Sequence, residues 1–282
     1  MLLFLLAHQD DELMVAPLIL AAKRNGERIG VVYLTDGGAG SVTPATRNAE
    51  TRRALATLGV DVVREVWFLG ERLGIPDRFC YEHLSSAHSA LLALVRELPP
   101  ITAIYTHAWE GGNPDHDAVH VVALGIGRAL RIEQAVFQIP FYRATRRGPL
   151  PFRVFAPLAA NGEVMWYPVS RVQRLRLLDL IRFFPSQVQA FVRLGPFMLI
   201  DALWRNGLPV QHASLARILQ RPMPEPLRYE RHGHDRFDRI LPYIEMYRRS
   251  TLDAPSTSLG PALAPDVEAA PRVAGHTMAR TT

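Results

Sequence analysis

The chain reads as a doubly wound α/β protein, a mostly parallel sheet of about five strands with helices on both faces. Short apolar runs alternate with helical stretches from Leu2 to Ile139, the pattern of βα units. The runs are continuous rather than alternating: the first is MLLFLL, which suits a strand buried on both faces. Polar clusters follow two of the runs directly, AHQDDE after the first and THAWEGGNPDH after the fourth. Open α/β sheets place their ligands just past the carboxyl ends of such strands.

The elements follow in order. After the first strand, LMVAPLILAAKRN (13–25) gives an apolar-faced helix closed by Gly26, with Pro17 as a bend or a delayed start. A second strand, Ile29–Leu34, leads into TDGGAGS. Its glycines permit close approach of a ligand, yet the Lys-Ser/Thr of a P-loop is missing. A helix spans Pro44–Leu58, stops at Gly59 and carries Arg47, Glu50, Arg52 and Arg53. Val62–Leu69 is the third strand, His83–Glu97 a helix ended by Pro99-Pro100, and Ile101–Tyr105 the fourth strand. Asn113 followed by Pro114 is a helix start, cap then first position, which sets His116 in the first turn of a helix continuing to Leu130. Ala135–Ile139 is the fifth strand.

Beyond Pro140 the pattern changes. Prolines break up an irregular stretch with a short hairpin expected around Asn161-Gly162. Arg171–Phe184 forms an amphipathic helix, and Ser186–Trp204 a helical stretch interrupted near Gly195-Pro196. Residues 1–250 are expected to form one domain, and 251–282, rich in Ala, Pro, Ser and Thr without periodicity, a disordered tail.

Composition narrows the function classes. With 48% hydrophobic and 21% charged residues among 282, the chain is globular. The single cysteine, Cys80, excludes a disulfide framework and a cysteine zinc knuckle, so metal must be held by His, Asp or Glu. The amino-terminal run has no basic flank and ends in acids, unlike a signal peptide, and no stretch is long enough to span a membrane, so a cytoplasmic protein is expected. The net charge of +5 is arginine-rich but spread along the chain without a nucleic-acid motif, so no nucleic-acid partner is expected.

The chemistry concentrates in the two polar clusters. His8, Asp10, Asp11 and Glu12 lie within five residues, and their carboxylates repel one another unless a cation or hydrogen bonds offset them. Asp10 or Asp11 could instead cap the following helix. Capping does not explain His8 or the doubled acid. The first and fourth strands are expected side by side at the switch point of the sheet, bringing His8, Asp10, Asp11 and His116 together. Two imidazoles and one carboxylate make a zinc ligand set with a position open for water, and a second acid is then free to act as a base.

AHQDDE, TDGGAG, the helix from Arg47 ending in LGV, and PDH at 114–116 resemble, in this order, the blocks of the LmbE-like, or PIG-L, family of zinc-dependent N-deacetylases. The resemblance covers about residues 1–140 and implies a Rossmann-like fold. It implies that His8, Asp11 and His116 hold Zn2+ (another divalent ion such as Fe2+ being possible), that Asp10 is the general base, and that Asp115 orients a ligand imidazole. Arg47 matches a substrate-contacting position. It further implies hydrolysis of an acetyl group from an N-acetylated amino sugar or glycoconjugate. Two departures stand out. Gln9 replaces the usual proline, and Asn113 stands where many members have a histidine proposed to assist at the oxyanion or leaving amine. Asn113 can donate a hydrogen bond there but cannot deliver a proton, and it can equally be only the helix cap. His107 and His120 are left without an assigned role. The alternatives are an amidase cutting a larger acyl or conjugate amide, and a non-catalytic sugar- or nucleotide-binding protein.

Overall fold

Strand β1 (Leu2–Leu6) is fully buried and occupies the middle of the sheet. Its side chains alternate between two cores. Leu2, Phe4 and Leu6 pack into one, and Leu3, Leu5 and Ala7 into the other, as the period of two requires of a strand covered on both faces. The computed structural model describes residues 1–38, 40–145, 152–224, 226–253 and 279–280.

From β1 the chain runs through helix α1 (Glu12–Arg24) to β2 (Ile29–Tyr33), then α2 (Pro44–Thr57), β3 (Val66–Phe68) and the short α3 (Leu69–Leu73). Helix α4 (Leu84–Glu97), β4 (Ala103–His107), α5 (Pro114–Ala129) and β5 (Val136–Ile139) complete the wound half. The order β3-β2-β1-β4-β5 is parallel throughout, with Leu2 opposite both Ile29 and Ala103. The doubly wound sheet is therefore as expected, with β1 and β4 adjacent at the point where the order reverses.

The later chain extends the sheet and thickens one face. A two-stranded ribbon joins β6 (Tyr142–Ala144) to β7 (Phe152–Val154). Strand β8 (Met165–Tyr167), helices α6 (Arg171–Leu178) and α7 (Val188–Trp204) and strand β9 (Leu208–His212) follow. β9 pairs antiparallel with β5 and β8 with β9, while Ala279–Arg280 (β10) pairs antiparallel with β8. Helices α6 and α7 pack with α1 and α2 on one face, whereas α4, α5 and the late helix α9 (Phe237–Tyr247) cover the other. Between β9 and α9 stands the single-turn α8 (Arg228–Arg231).

Several boundaries differ from the sequence reading, each for a local reason. β3 begins at Val66, because the Asp61 carboxylate accepts from the Val63 and Arg64 amides and holds that stretch in a turn. β4 ends at His107 rather than Tyr105. No hairpin forms at Asn161-Gly162. The Asn161 amide is buried, donating to Trp109 O and Gln138 Oε1, and β7 and β8 pair with other strands. The α-helix from Arg171 gives way to a 3-10 turn at Asp179–Phe183. α7 runs unbroken through Pro196: the carbonyl that proline leaves without its helical partner belongs to Val192, an exposed residue. Of the expected tail 251–282, Thr251–Asp253 and Ala279–Arg280 are described, and 254–278 and 281–282 lie outside the described residues.

Candidate metal centre

The turn between β1 and α1 is folded by its own carboxylate. Asp11 occupies the cap position of α1 but makes no cap hydrogen bond to the helix. Its Oδ2 turns back instead, accepting from the His8 amide at 2.7 Å and the Ala7 amide at 3.2 Å. Asp10 is left with φ +141°, a conformation that costs a residue bearing a Cβ about 1–3 kcal/mol and clusters at functional sites. The Asp10 amide donates to Glu12 Oε2 at 2.9 Å, which helps hold the bend.

Across the β1–β4 seam the expected partners meet. His116 Nε2 lies 3.3 Å from Asp11 Oδ1, and His8 Nδ1 lies 3.5 Å from Asp11 Oδ2. One ligand atom from each of His8, Asp11 and His116 falls within 4.8 Å of the others, and all three residues are buried. His116 Nε2 has no hydrogen-bond partner although it is shut off from solvent, a costly state for a polar atom unless something coordinates it. Burial, with His107 adding to it, lowers the His116 pKa to about 3, so its imidazole is neutral and its lone pair free to bind.

The other face of His8 is equally determined. Its Nε2 meets Asp115 Oδ2 at 2.9 Å and Asp77 Oδ1 at 3.1 Å. Asp115 is fixed in turn by the Cys80 amide at 2.9 Å and by the Arg78 amide. Burial opposes charge on His8, but Asp77, Asp11 and Asp115 together outweigh it and hold the pKa well above the usual value. Three carboxylates, those of Asp11, Asp77 and Asp115, thus converge on one imidazole.

Arg47 reaches in from α2 and is almost wholly buried. Its guanidinium donates to Gly37 O at 2.9 Å and to Gln9 O, and stands 3.2 Å from Asp10 Oδ1. Here the glycine loop finds its use. Gly37 has φ +67°, and a Cβ there would meet Gln9 Oε1 at 2.0 Å. Gln9 also ties Asp36 O to Asn48 Oδ1, locking the loop to α2.

Asn113 caps α5, its Oδ1 accepting from the Asp115 amide at 2.8 Å, and it lines the cleft above the cluster. His120 packs beneath, bonded through Nδ1 to His107 O, and is outside the group. His107 stacks on His116 with ring centroids 3.9 Å apart, and its Nε2 accepts from the Ala7 amide at 2.9 Å. The sequence reading missed Asp77 altogether. It follows α3 beyond the carboxyl end of β3, so strand position was the available signal. It also missed Tyr142, which faces the His116 ring, and Arg228, whose guanidinium lies 4.7 Å over Tyr142. The cleft they line, with Asp10, Arg47 and the α7 side chains Phe191, Leu194 and Phe197, holds about 580 Å³.

Residues 3–126 match the family described as PIG-L, GlcNAc-PI de-N-acetylase. Over that stretch, a little under half of its length, the chain is similar to the PIG-L, or LmbE-like, family. No curated protein matches the chain in sequence. Among solved structures it is similar in fold to a deacetylase of the teicoplanin biosynthesis pathway at 17% identity and a TM-score of 0.55, over 74% of this chain and 96% of that one. The A40926 pseudoaglycone deacetylase Dbv21 gives 16% identity and 0.53, over 76% and 98%. The zinc-inhibited form of the teicoplanin deacetylase Orf2 gives 16% and 0.54, over 76% and 99%. At these identities the likeness is one of fold.

Proposed function

We propose that the protein is a zinc-dependent N-deacetylase that releases acetate from an N-acetylated amino sugar. The observation that carries this is the buried His8–Asp11–His116 group, with His116 Nε2 lacking any hydrogen-bond partner, at the β1–β4 switch point of a family fold. His8 Nδ1, one oxygen of Asp11 and His116 Nε2 are the ligand atoms of the proposal. Bound there, zinc supplies a Lewis acid that acidifies water and polarises the amide carbonyl.

The chain's own groups do the rest. Asp10 takes a proton from water as its oxygen adds to the amide carbonyl carbon, then delivers it to the nitrogen as the C–N bond breaks, giving acetate and a free amine. Arg47 holds Asp10 beside the cleft, while Asp115 and Asp77 fix the ring of His8 through Nε2. Asn113 contacts the substrate through its amide nitrogen, the oxygen being engaged in the cap. The family's description and the cleft volume support a sugar-sized substrate. The apolar wall of Phe191, Leu194 and Phe197 favours, as a second reading, an amidase for a larger acyl or conjugate amide.

The test is metal content beside amine release from acetylated amino sugars. Asp11→Ala and His116→Ala should lose stoichiometric zinc. Asp10→Asn should keep it and lose roughly 10²–10⁴-fold in turnover. Equal metal loss in all three variants would show that Asp10 is a ligand and not the base.

A further inference from the structure

Helix α7 has two working sides. Phe191, Leu194 and Phe197 line the cleft, while Val188, Val192, Leu199, Ile200, Leu203 and Trp204 turn outward. At 100° per residue these six fall within one continuous arc of the helix, not scattered round it. Val192 is 69% and Trp204 79% exposed, and a largely apolar face of this kind, with Gln189 and Arg193 in the same arc, marks an interaction surface.

Charge identifies the occupant. Residues 171–205 hold six arginines (171, 174, 176, 182, 193 and 205) against two aspartates (179 and 201), a net +4 within a chain of net +5. Both acids are already engaged, Asp201 with Arg174 and Asp179 with Arg182. No exposed acid stands on α7 itself. Arg174, Arg182 and Arg205 pair with those acids, which leaves Arg171, Arg176 and Arg193 exposed and outside these pairs, an unbalanced positive charge that a second copy would duplicate rather than offset. A surface of anionic headgroups over an apolar interior matches both features, with tryptophan suited to the boundary between them.

We propose that the outer face of α7 docks on an anionic lipid membrane, seating the mouth of the cleft at the bilayer surface. No described helix is long and apolar enough to cross a membrane, so the contact is interfacial: the side chains enter the headgroup boundary and the flanking arginines pair with phosphates. This inference does not rest on the deacetylase reading, since the cluster takes no part in it.

The test is co-sedimentation of the full chain with vesicles of phosphatidylcholine alone and of phosphatidylcholine mixed with phosphatidylglycerol. Binding to the mixed vesicles should dominate and weaken with added salt. The double variant Val192→Glu/Leu203→Glu, both positions exposed, should bind at least ~10-fold more weakly with an unchanged melting temperature. Absence of binding to either vesicle overturns the proposal, as does undiminished binding of the double variant. Equal affinity for both vesicles overturns the anionic assignment. A dimer in sedimentation equilibrium that the double variant dissolves would give the face to a second copy instead.

Discussion

Asp11 shows how one carboxylate can shape its own site. By accepting from the two amides behind it, it curls the chain after β1 into a loop that offers His8 and its own Oδ1 to the same point in space. The strained backbone falls on its neighbour Asp10, whose carboxylate is steadied by Arg47. Asn113 has the opposite character, with its carbonyl oxygen spent on the α5 cap. Asn113→Ala should therefore cost about 1 kcal/mol of stability and leave zinc stoichiometry unchanged. Thermal melting beside metal analysis checks this, and lost metal with an unshifted melt would refute it. The meeting of His8, Asp11 and His116 was legible because the first two follow the carboxyl end of β1 and the third opens the helix after β4, its neighbour in the sheet. The burial of Arg47 was not, because a lone arginine on a polar helix reads as solvated until the three acceptors from Gln9, Gly37 and Asp10 are placed around it.

At the scale of elements, the position of the glycine loop depends on how tightly α3 presses against the end of β2. A Cβ on Gly70 would come within 2.4 Å of backbone atoms of Leu34 and Thr35. Backbone cannot rotate out of the way as a side-chain tip can. Gly70→Ala should lower stability by roughly 1–3 kcal/mol and displace the Thr35–Gly38 segment that anchors Arg47. Denaturant melts, with turnover per folded molecule, measure both effects, and an unchanged midpoint would contradict the packing argument. Continuous apolar runs made the five parallel strands readable without any contact information. The partners of β6 to β9 were not, since Arg143, Arg153 and Pro209 interrupt the apolar runs of three of them, and the Asn161 amide that decides against a hairpin bonds to residues 23 and 52 positions away.

For the molecule as a whole, acids buried beneath the cleft make stability depend on pH. Burial pushes the Glu110 carboxyl up to about 7 from 4.5, its Oε1 holding the Phe141 and Tyr142 amides. The folded state thus prefers the neutral acid. Below about pH 4.5 both states are protonated and there is no penalty. The penalty grows as the unfolded chain ionises and is complete above about pH 7. Glu110→Gln, which keeps an accepting oxygen, should be stabilised relative to the parent more at about pH 8 than at about pH 4.5, by on the order of 3 kcal/mol at most. Calorimetry at the two pH values decides, and a pH-independent difference would mean Glu110 does not titrate in this way.

The seam between β1 and β4 also has a consequence in time. His8 and Asp11 leave the ribosome about a hundred residues before His116, and the two groups face each other only once Leu2 to Leu5 have paired with Ala103 to Thr106. On the proposed ligand set, the amino-terminal turn emerges during synthesis without its third ligand and would grip a divalent ion weakly. Loading would then wait until the central strands have closed, and a chain halted before α5 emerges would carry the full AHQDDE turn with little hold on metal.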